Sequence, residues 1–137
     1  MSSRITTTLI SGINRVLIPA ARGTLVKPNE LESAVSRPST LAYYQPNSPA
    51  TLRAASLAYG LIMGHPFLDG NKRTAFWAAN EYLKEQLGKG LTDIPLTSVN
   101  MTDTAMQSIG EAHSRVAQGL LGYEQLAEVY EHVLNRR

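Results

Sequence analysis

The sequence contains no cysteine, and this absence excludes disulfides, thiolate nucleophiles and cysteine-rich metal sites. A chain without cysteine suits a reducing compartment. The residues after Met1–Arg4 do not form the continuous apolar segment of a secretion signal, because Thr6–Thr8, Ser11 and Arg15 interrupt it. We therefore expect a cytoplasmic protein.

Long apolar runs and a strong charge of one sign are also missing. No apolar run approaches the length that spans a membrane, so we expect no membrane association. The chain has 13 Lys and Arg against 11 Asp and Glu, a formal net charge of +2. No group of basic residues is dense enough to follow a nucleic-acid backbone, so a nucleic acid is not an expected partner. With 137 residues, 43% of them hydrophobic, and no linker, a single domain over 1–137 is predicted.

Apolar residues recur at spacings of three and four in six segments, which is the pattern of amphipathic α-helices. Proline and glycine separate these segments. The sequence predicts a compact all-α bundle of about six helices, with at most one small β-hairpin. The predicted helices are 5–17, 28–37, 49–63, 71–87, 103–116 with Thr102 as its cap, and 123–134.

Three of the predicted helix boundaries depend on single residues. Pro38 is expected to end the second helix, because the residue before a proline disfavours the helical conformation. Ser48 is expected to cap the third helix, and Gly64 to end it in the left-handed conformation. The irregular stretch from Ser39 to Pro49 is then a surface loop or a small hairpin.

The richest chemistry lies in residues 65–74, directly before and within the start of the fourth helix. A helix N-terminus has unpaired backbone N–H groups and the positive end of the helix dipole. Here it also carries Asn71, Lys72 and Arg73 and follows Gly70. This combination predicts a site for an anion such as phosphate.

Two further residues complete this stretch. Asp69 lies at the mouth of the anion site, and one carboxylate beside phosphates is a common way to hold Mg²⁺. His65 is the candidate general base. In the alternative interpretation the stretch is a polar surface turn in which Asp69 merely caps the helix. A metal pair of His65 and Asp69 is a third option, but Pro66 and Gly70 indicate a loop and no second His or Cys lies near.

The stretch resembles the H-x-F-x-D/E-G-N motif of the Fic/Doc (Fido) family, whose members transfer part of a nucleoside triphosphate to a protein hydroxyl. The matching residues are His65, Phe67, Asp69, Gly70 and Asn71. A second, less specific resemblance is the L-x-x-A-x-x-x-P pattern of Leu31, Ala34 and Pro38. The resemblance extends from about Asn29 to the C-terminus, is strongest between Leu57 and Leu87, and implies the family's helical fold.

The resemblance also implies a role for each matching residue, with ATP or another nucleoside triphosphate as co-substrate and Mg²⁺ as cofactor. His65 takes the proton from a Ser, Thr or Tyr hydroxyl of the target protein, and Asp69 holds Mg²⁺. Gly70, Asn71, Lys72 and the helix N-terminus bind phosphate, Arg73 stabilises its charge, and Phe67 anchors the loop in the core.

In this family a β-hairpin called the flap aligns the target by backbone pairing. The resemblance places it in Ser39–Pro49, with Leu41, Ala42, Tyr43 and Tyr44 as the candidate strand. The two tyrosines could equally be packing residues.

Two positions bear on the reaction. In adenylylating Fic proteins the motif continues G-N-G-R-x-x-R, whereas here Lys72 replaces the second glycine and Phe76 the last arginine. The N-K-R-T-A run resembles the Doc branch, whose toxins transfer the γ-phosphate to a translation elongation factor, although Gly70 stands where Doc usually has alanine. We therefore favour a Doc-like kinase toxin over an adenylyltransferase.

One further feature of the sequence concerns regulation. The chain has no S/T-x-x-x-E-G/N inhibitory motif, so we expect any restraint to come from a separate antitoxin-type partner.

The other two histidines are not predicted to be catalytic. His113 falls on an apolar helical stripe and is predicted to be a packing residue, whereas His132 is predicted to be solvated. A catalytically silent helical binding module remains the alternative of another class.

Overall fold

The computed structural model describes residues 3–19, 22–96 and 104–137. Six α-helices form in these residues, and no β-sheet forms among them, so the predicted all-α fold is confirmed. None of the helices found there is both long and apolar enough to cross a lipid bilayer. The helices are α1 (Thr7–Leu17), α2 (Pro28–Tyr44), α3 (Ala50–Gly64), α4 (Asn71–Leu87), α5 (Thr104–Ala117) and α6 (Tyr123–Asn135).

Two helices, α3 and α4, form the centre of the bundle. α3 packs against α2, α4, α5 and α6, and α4 also packs against α1 and α5. Every residue of α4 from Thr74 to Asn80 is buried, although the sequence pattern predicted one apolar face. A helix that is buried all round lies inside a core. The stretch of residues 65–70 that joins α3 to α4 is therefore fixed at both ends.

The first helix begins slightly later than predicted. The Thr6 side chain accepts a hydrogen bond from the Leu9 amide at 3.1 Å, and this cap sets the start of α1 at Thr7. The apolar Val16 is exposed, whereas the polar Asn14 is fully buried. The face that α1 turns towards α4 is thus partly polar.

The predicted end of the second helix at Pro38 is wrong. Proline lacks the N–H that would bond to the carbonyl of Ala34, yet α2 continues to Tyr44. Pro38 is buried together with Leu31 and Ala34, so packing outweighs the lost hydrogen bond. The Ser39 hydroxyl donates to the Ser36 carbonyl at 3.1 Å, which adds a bond beside the proline.

The predicted flap hairpin is also wrong, because its candidate strand belongs to this helix. Leu41, Ala42, Tyr43 and Tyr44 form the last turn of α2. Tyr43 and Tyr44 are 78% and 76% exposed, and their rings contact each other edge to face with centroids 5.1 Å apart. No strand forms in 39–49.

The boundaries of α3 differ from the prediction at both ends. Pro49 occupies the cap position and Ser48 does not cap the helix; instead the Ser48 hydroxyl accepts a hydrogen bond from Arg53 at 3.3 Å. Gly64 is the last helical residue, and His65 itself adopts the left-handed conformation with φ 50°. A Cβ atom at Gly64 would lie 2.7 Å from Glu30 Oε2 and 3.2 Å from Glu30 Cβ, so this end of α3 lies close to α2.

The last two helices follow the prediction closely. Met106, Ile109, His113 and Val116 of α5 are buried as expected. The predicted cap, Thr102, lies outside the described residues. The predicted apolar face of α6 is also buried, and His132 is exposed.

Candidate active site

His65 is presented to solvent by an unusual backbone conformation. It lies directly after α3, is exposed, and has the left-handed φ and ψ of 50° and 55°. This conformation is uncommon for a residue with a Cβ atom and costs free energy. The buried residues Pro66 and Phe67 follow at once. The turn thus directs the imidazole outward while the chain returns to the core.

The loop after His65 is held in shape by Asn71. The Phe67 amide donates to Asn71 Oδ1 at 3.0 Å, and Asn71 Nδ2 donates to the Phe67 carbonyl at 2.8 Å. Phe67 is 3% exposed, which confirms its expected place in the core. Both polar atoms of the Asn71 side chain are therefore hydrogen-bonded within the loop. An anion at this position would be bound by the backbone N–H group of Asn71.

Asp69 and Gly70 form the turn into α4. The Gly70 amide donates to Asp69 Oδ1 at 2.7 Å, and Gly70 has φ 80°. A Cβ atom at Gly70 would lie 2.3 and 2.5 Å from two side-chain carbons of Ile18. Both the conformation and the space therefore favour glycine here. The carboxylate is half-exposed and faces the cleft described below.

The first turn of α4 supplies the positive charge of the site. The N–H groups at the start of a helix have no partner within the helix. Lys72 and Arg73 in this turn are exposed, and both line the same cleft as His65 and Asp69. Together with the positive end of the helix dipole, they favour a bound anion.

The sequence-predicted site residues share one open cleft of about 560 Å³. Its walls include the side chains predicted as base, metal ligand and phosphate ligands, and also hydrophobic residues from outside the motif. The lining residues are Val26, Lys27, His65, Phe67, Leu68, Asp69, Gly70, Asn71, Lys72, Arg73 and Ala117. The predicted flap residues Leu41–Tyr44 do not line this cleft.

An extended segment beside the loop was missed by the sequence analysis. The Val26 amide donates to the Pro66 carbonyl at 2.8 Å, and the Leu68 amide donates to the Thr24 carbonyl at 2.8 Å, so the backbone around Leu25 pairs antiparallel with that around Phe67. Leu25 and Val26 remain partly exposed. The Thr24-Leu25-Val26 run of β-branched and apolar residues was the available signal.

Arg22 was also missed. Its guanidinium Nη1 lies 3.5 Å from Asp69 Oδ2, and both side chains are about half-exposed. A solvent-exposed ion pair contributes little to stability. The ion pair nevertheless places a further cation against the carboxylate at the mouth of the cleft. Nothing in the local sequence around Arg22 predicts this long-range contact.

Behind the first turn of α4 lies a buried polar pair. His113 Nε2 lies 2.6 Å from the Tyr130 hydroxyl, and His113 Nδ1 lies 3.4 Å from the Lys72 carbonyl. Burial lowers the pKa of His113 to about 4 and raises the pKa of Tyr130. A neutral histidine with hydrogen-bond partners is a packing residue, as predicted.

Beside this pair is a smaller apolar cavity of about 200 Å³. Phe76 and Trp77 of α4 line it, and their rings pack edge to face with centroids 5.1 Å apart. Lys72 and Arg73 border both this cavity and the cleft. The environment immediately behind the cationic turn is therefore apolar.

The described residues contain no group of three or more His, Asp or Glu side chains that could hold a metal ion. Asp69 is thus a single carboxylate next to an anion site. This donor set fits a hard cation such as Mg²⁺ that takes its remaining oxygen ligands from phosphate and water.

These features define a class: an all-helical domain in which a histidine and a carboxylate flank a cationic helix N-terminus. The sequence profile of the Fic/DOC family matches residues 4–83, more than half of the chain. The chain belongs to this family, whose members in general use nucleotides to modify protein hydroxyls. The match begins earlier than the predicted start near Asn29 and ends at residue 83. No curated protein sequence matches the chain.

Proposed function

We propose that this protein is a Doc-like kinase that transfers the γ-phosphate of ATP, or of another nucleoside triphosphate, to a hydroxyl of a target protein. The observation that carries the proposal is the shared cleft, in which His65, Asp69 and the cationic first turn of α4 surround one space. Phosphoryl transfer requires positioning and charge stabilisation rather than covalent participation by the protein.

His65 is the general base in this proposal. Its exposed imidazole accepts the proton of a Ser, Thr or Tyr hydroxyl as the oxygen attacks phosphorus. The return of the chain into the core at Phe67 limits the movement of the loop, and the two Asn71 hydrogen bonds stabilise that loop from below. The backbone of the loop that follows the base is therefore held in place.

Asp69 would hold Mg²⁺, and the bound ion would neutralise charge on the phosphates and help to orient them. The Gly70 amide already orients Asp69 Oδ1. Oδ2 faces Arg22, so this arginine must yield or share the carboxylate when a cation binds. Arg73, Lys72 and the free N–H groups of the first turn of α4 would bind the phosphate oxygens.

The preference for γ-phosphate rests on Lys72 and Phe76. Lys72 fills the space that a glycine leaves in adenylylating Fic proteins and adds a point charge. Phe76 is 6% exposed and packs against Trp77. It supplies no bidentate clamp for phosphate. Both features disfavour the triphosphate orientation used in adenylylation.

Adenylylation is the second candidate, and Gly70 is the residue that favours it. In this chain Gly70 has a local reason, since a Cβ atom there would clash with Ile18 and the residue has φ 80°. Gly70 therefore does not distinguish the two reactions. The preference for transfer of the γ-phosphate depends on Lys72 and Phe76.

We place the contact with the target protein at the extended segment that pairs with the loop, instead of at the predicted flap. Val26 is partly exposed and lines the cleft, and an extended segment can align a peptide by backbone pairing. The target itself is proposed from the family resemblance as a protein such as a translation elongation factor.

Restraint by a separate antitoxin-type partner remains part of this proposal. Pull-downs from the native source that yield only free, active enzyme would contradict it.

The test uses ATP labelled at either the α or the γ phosphorus, incubated with Mg²⁺ and an extract of the native source. We expect label on protein from γ only. The control is His65→Asn, since asparagine adopts the left-handed conformation readily but is no base, and we expect its rate to fall by about 10²–10⁴-fold. Label from α would support adenylylation. No label from either position, with no difference between the two proteins, would support the binding module.

A further inference from the structure

Asn14 is a buried polar residue of α1 that contacts the turn formed by Asp69 and Gly70, which we call the catalytic turn. It is 0% exposed. Its Nδ2 donates to the Asp69 carbonyl at 3.0 Å and to Thr74 Oγ1 at 3.1 Å. A carbonyl oxygen can only accept, so the amide orientation follows from the first bond. One side chain thus joins the residue before Gly70 to the first turn of α4.

The oxygen of the same amide has no partner. Asn14 Oδ1 is buried and accepts no hydrogen bond from the described residues. An unpaired buried acceptor costs free energy, whereas an apolar residue would leave no such group. An asparagine at this position is therefore explained better by its two donated bonds than by the stability of the core.

The Asn14 amide lies in close contact with two glycines. A Cβ atom at Gly70 would lie 3.2 Å from Asn14 Nδ2, and one at Gly23 would lie 2.8 Å from Asn14 Oδ1. The amide is therefore enclosed between the Asp69–Gly70 turn and the connection that carries Arg22. Arg22 in turn contacts the Asp69 carboxylate. The backbone and the side chain of Asp69 are thus held from two neighbouring parts of the chain.

We propose that Asn14 is a positioning residue that sets the place of the Asp69 carboxylate for a divalent cation. The inference rests on the proposed function of Asp69 as the metal ligand. Asn14 does not touch the cation; it holds the Asp69 carbonyl, while the Gly70 amide orients the carboxylate. Loss of a group that supports a metal ligand typically weakens metal binding by about 10–100-fold.

The main comparison is between Asn14→Ala and Asn80→Ala. Asn80 is also buried, and its Oδ1 accepts hydrogen bonds from the Leu91 and Thr92 amides. It lies on α4, roughly 13 Å along the helix axis from Asn71. Both variants should lose stability. Mn²⁺ binding, measured by electron paramagnetic resonance with a non-hydrolysable ATP analogue, should weaken ~10-fold or more in Asn14→Ala and stay unchanged in Asn80→Ala. Equal Mn²⁺ affinity in wild type and Asn14→Ala would overturn the inference and leave the proposed function standing.

Hydrogen exchange tests the positioning without any metal or reaction. Exchange at the Gly70 amide should accelerate more in Asn14→Ala than the loss of global stability accounts for, and only in proportion to that loss in Asn80→Ala. Proportional acceleration in both variants would overturn the inference. A wild-type protein that binds no Mn²⁺ with the analogue would overturn the proposed role of Asp69, and the inference with it.

Gly23→Ala is a second variant in case Asn14→Ala does not fold. Its new Cβ atom would displace the Asn14 amide without removing any hydrogen-bonding group. The matched control is Gly12→Ala on α1, the helix that carries Asn14. A Cβ atom at Gly12 meets nothing within 4 Å. We expect weaker Mn²⁺ binding in Gly23→Ala and unchanged binding in Gly12→Ala. Equal affinities in these two variants would contradict the role of Asn14.

Discussion

At the scale of single residues, the most constrained position of the site is Gly70. It combines φ 80° with a space in which a Cβ atom would lie 2.3 Å from Ile18. Gly88 has the same φ of 80°, but a Cβ atom there meets nothing within 4 Å. The pair therefore separates backbone strain from steric conflict.

We predict that Gly88→Ala lowers the free energy of unfolding by about 1–2 kcal/mol, from the left-handed conformation alone. Gly70→Ala should cost ~1–3 kcal/mol more, because the new methyl group enters an occupied space. Gly70→Ala should also lower transfer activity, whereas Gly88→Ala should not. Urea denaturation and the labelled-ATP assay measure the two effects. Similar losses of stability in both variants would show that Ile18 moves aside without cost.

At the scale of elements, an extended segment lies beside the loop of residues 65–70, and no hairpin forms in 39–49. Leu25 pairs with Phe67, whereas Leu41–Tyr44 are helical. Val26 of the extended segment lines the cleft, and the exposed end of α2 does not.

We predict that Val26→Ser raises the KM for the protein target by ~3–10-fold, since it removes apolar contact area from the wall of the cleft. The KM for ATP should stay unchanged. Tyr43→Ala and Tyr44→Ala are the matched exposed controls and should alter neither constant. A larger effect from the tyrosine variants would return the target contact to the end of α2.

A second element-scale contact joins α4, α5 and α6 through His113 and Tyr130. His113 stays neutral in the folded protein down to pH of about 4, because burial lowers its pKa. In the unfolded chain a histidine takes up its proton at a pH of about 6.5. The unfolded chain therefore binds more protons between these two values, and acid favours unfolding there.

We predict that the His113 contribution to stability is complete above a pH of about 6.5 and is lost as the pH falls towards about 4, with a total of ~3 kcal/mol. Chemical denaturation across this range measures the loss. His113→Gln should flatten that part of the profile, whereas His132→Gln, at an exposed position, should not. An unchanged profile in His113→Gln would show that other groups cause the acid sensitivity.

At the scale of the whole molecule, the sequence predicted the features that are local in the chain. Helices are local, and so is the motif: His65, Asp69, Lys72 and Arg73 lie within nine positions, so placing one places the others. The sequence did not predict that α2 continues through Pro38, because burial of that proline against the core is a tertiary effect.

The features that were missed are long-range contacts. Asn14 bonds to Asp69 across 55 positions, and Arg22 approaches Asp69 from the connection between α1 and α2. A single sequence carries no periodic signal for such pairs, since buried polar contacts depend on how the elements pack. The site is therefore larger than its motif, and its N-terminal part is supplied by α1 and the connection after it.

The reaction proposed for this cleft is transfer of the γ-phosphate of a nucleoside triphosphate to a protein hydroxyl. It is tested by mass spectrometry of the modified target residue after reaction with wild-type protein, ATP and Mg²⁺. We expect the mass of a single phosphoryl group on a Ser, Thr or Tyr side chain, absent after reaction with His65→Asn. The mass of a nucleoside monophosphate on that side chain would contradict it.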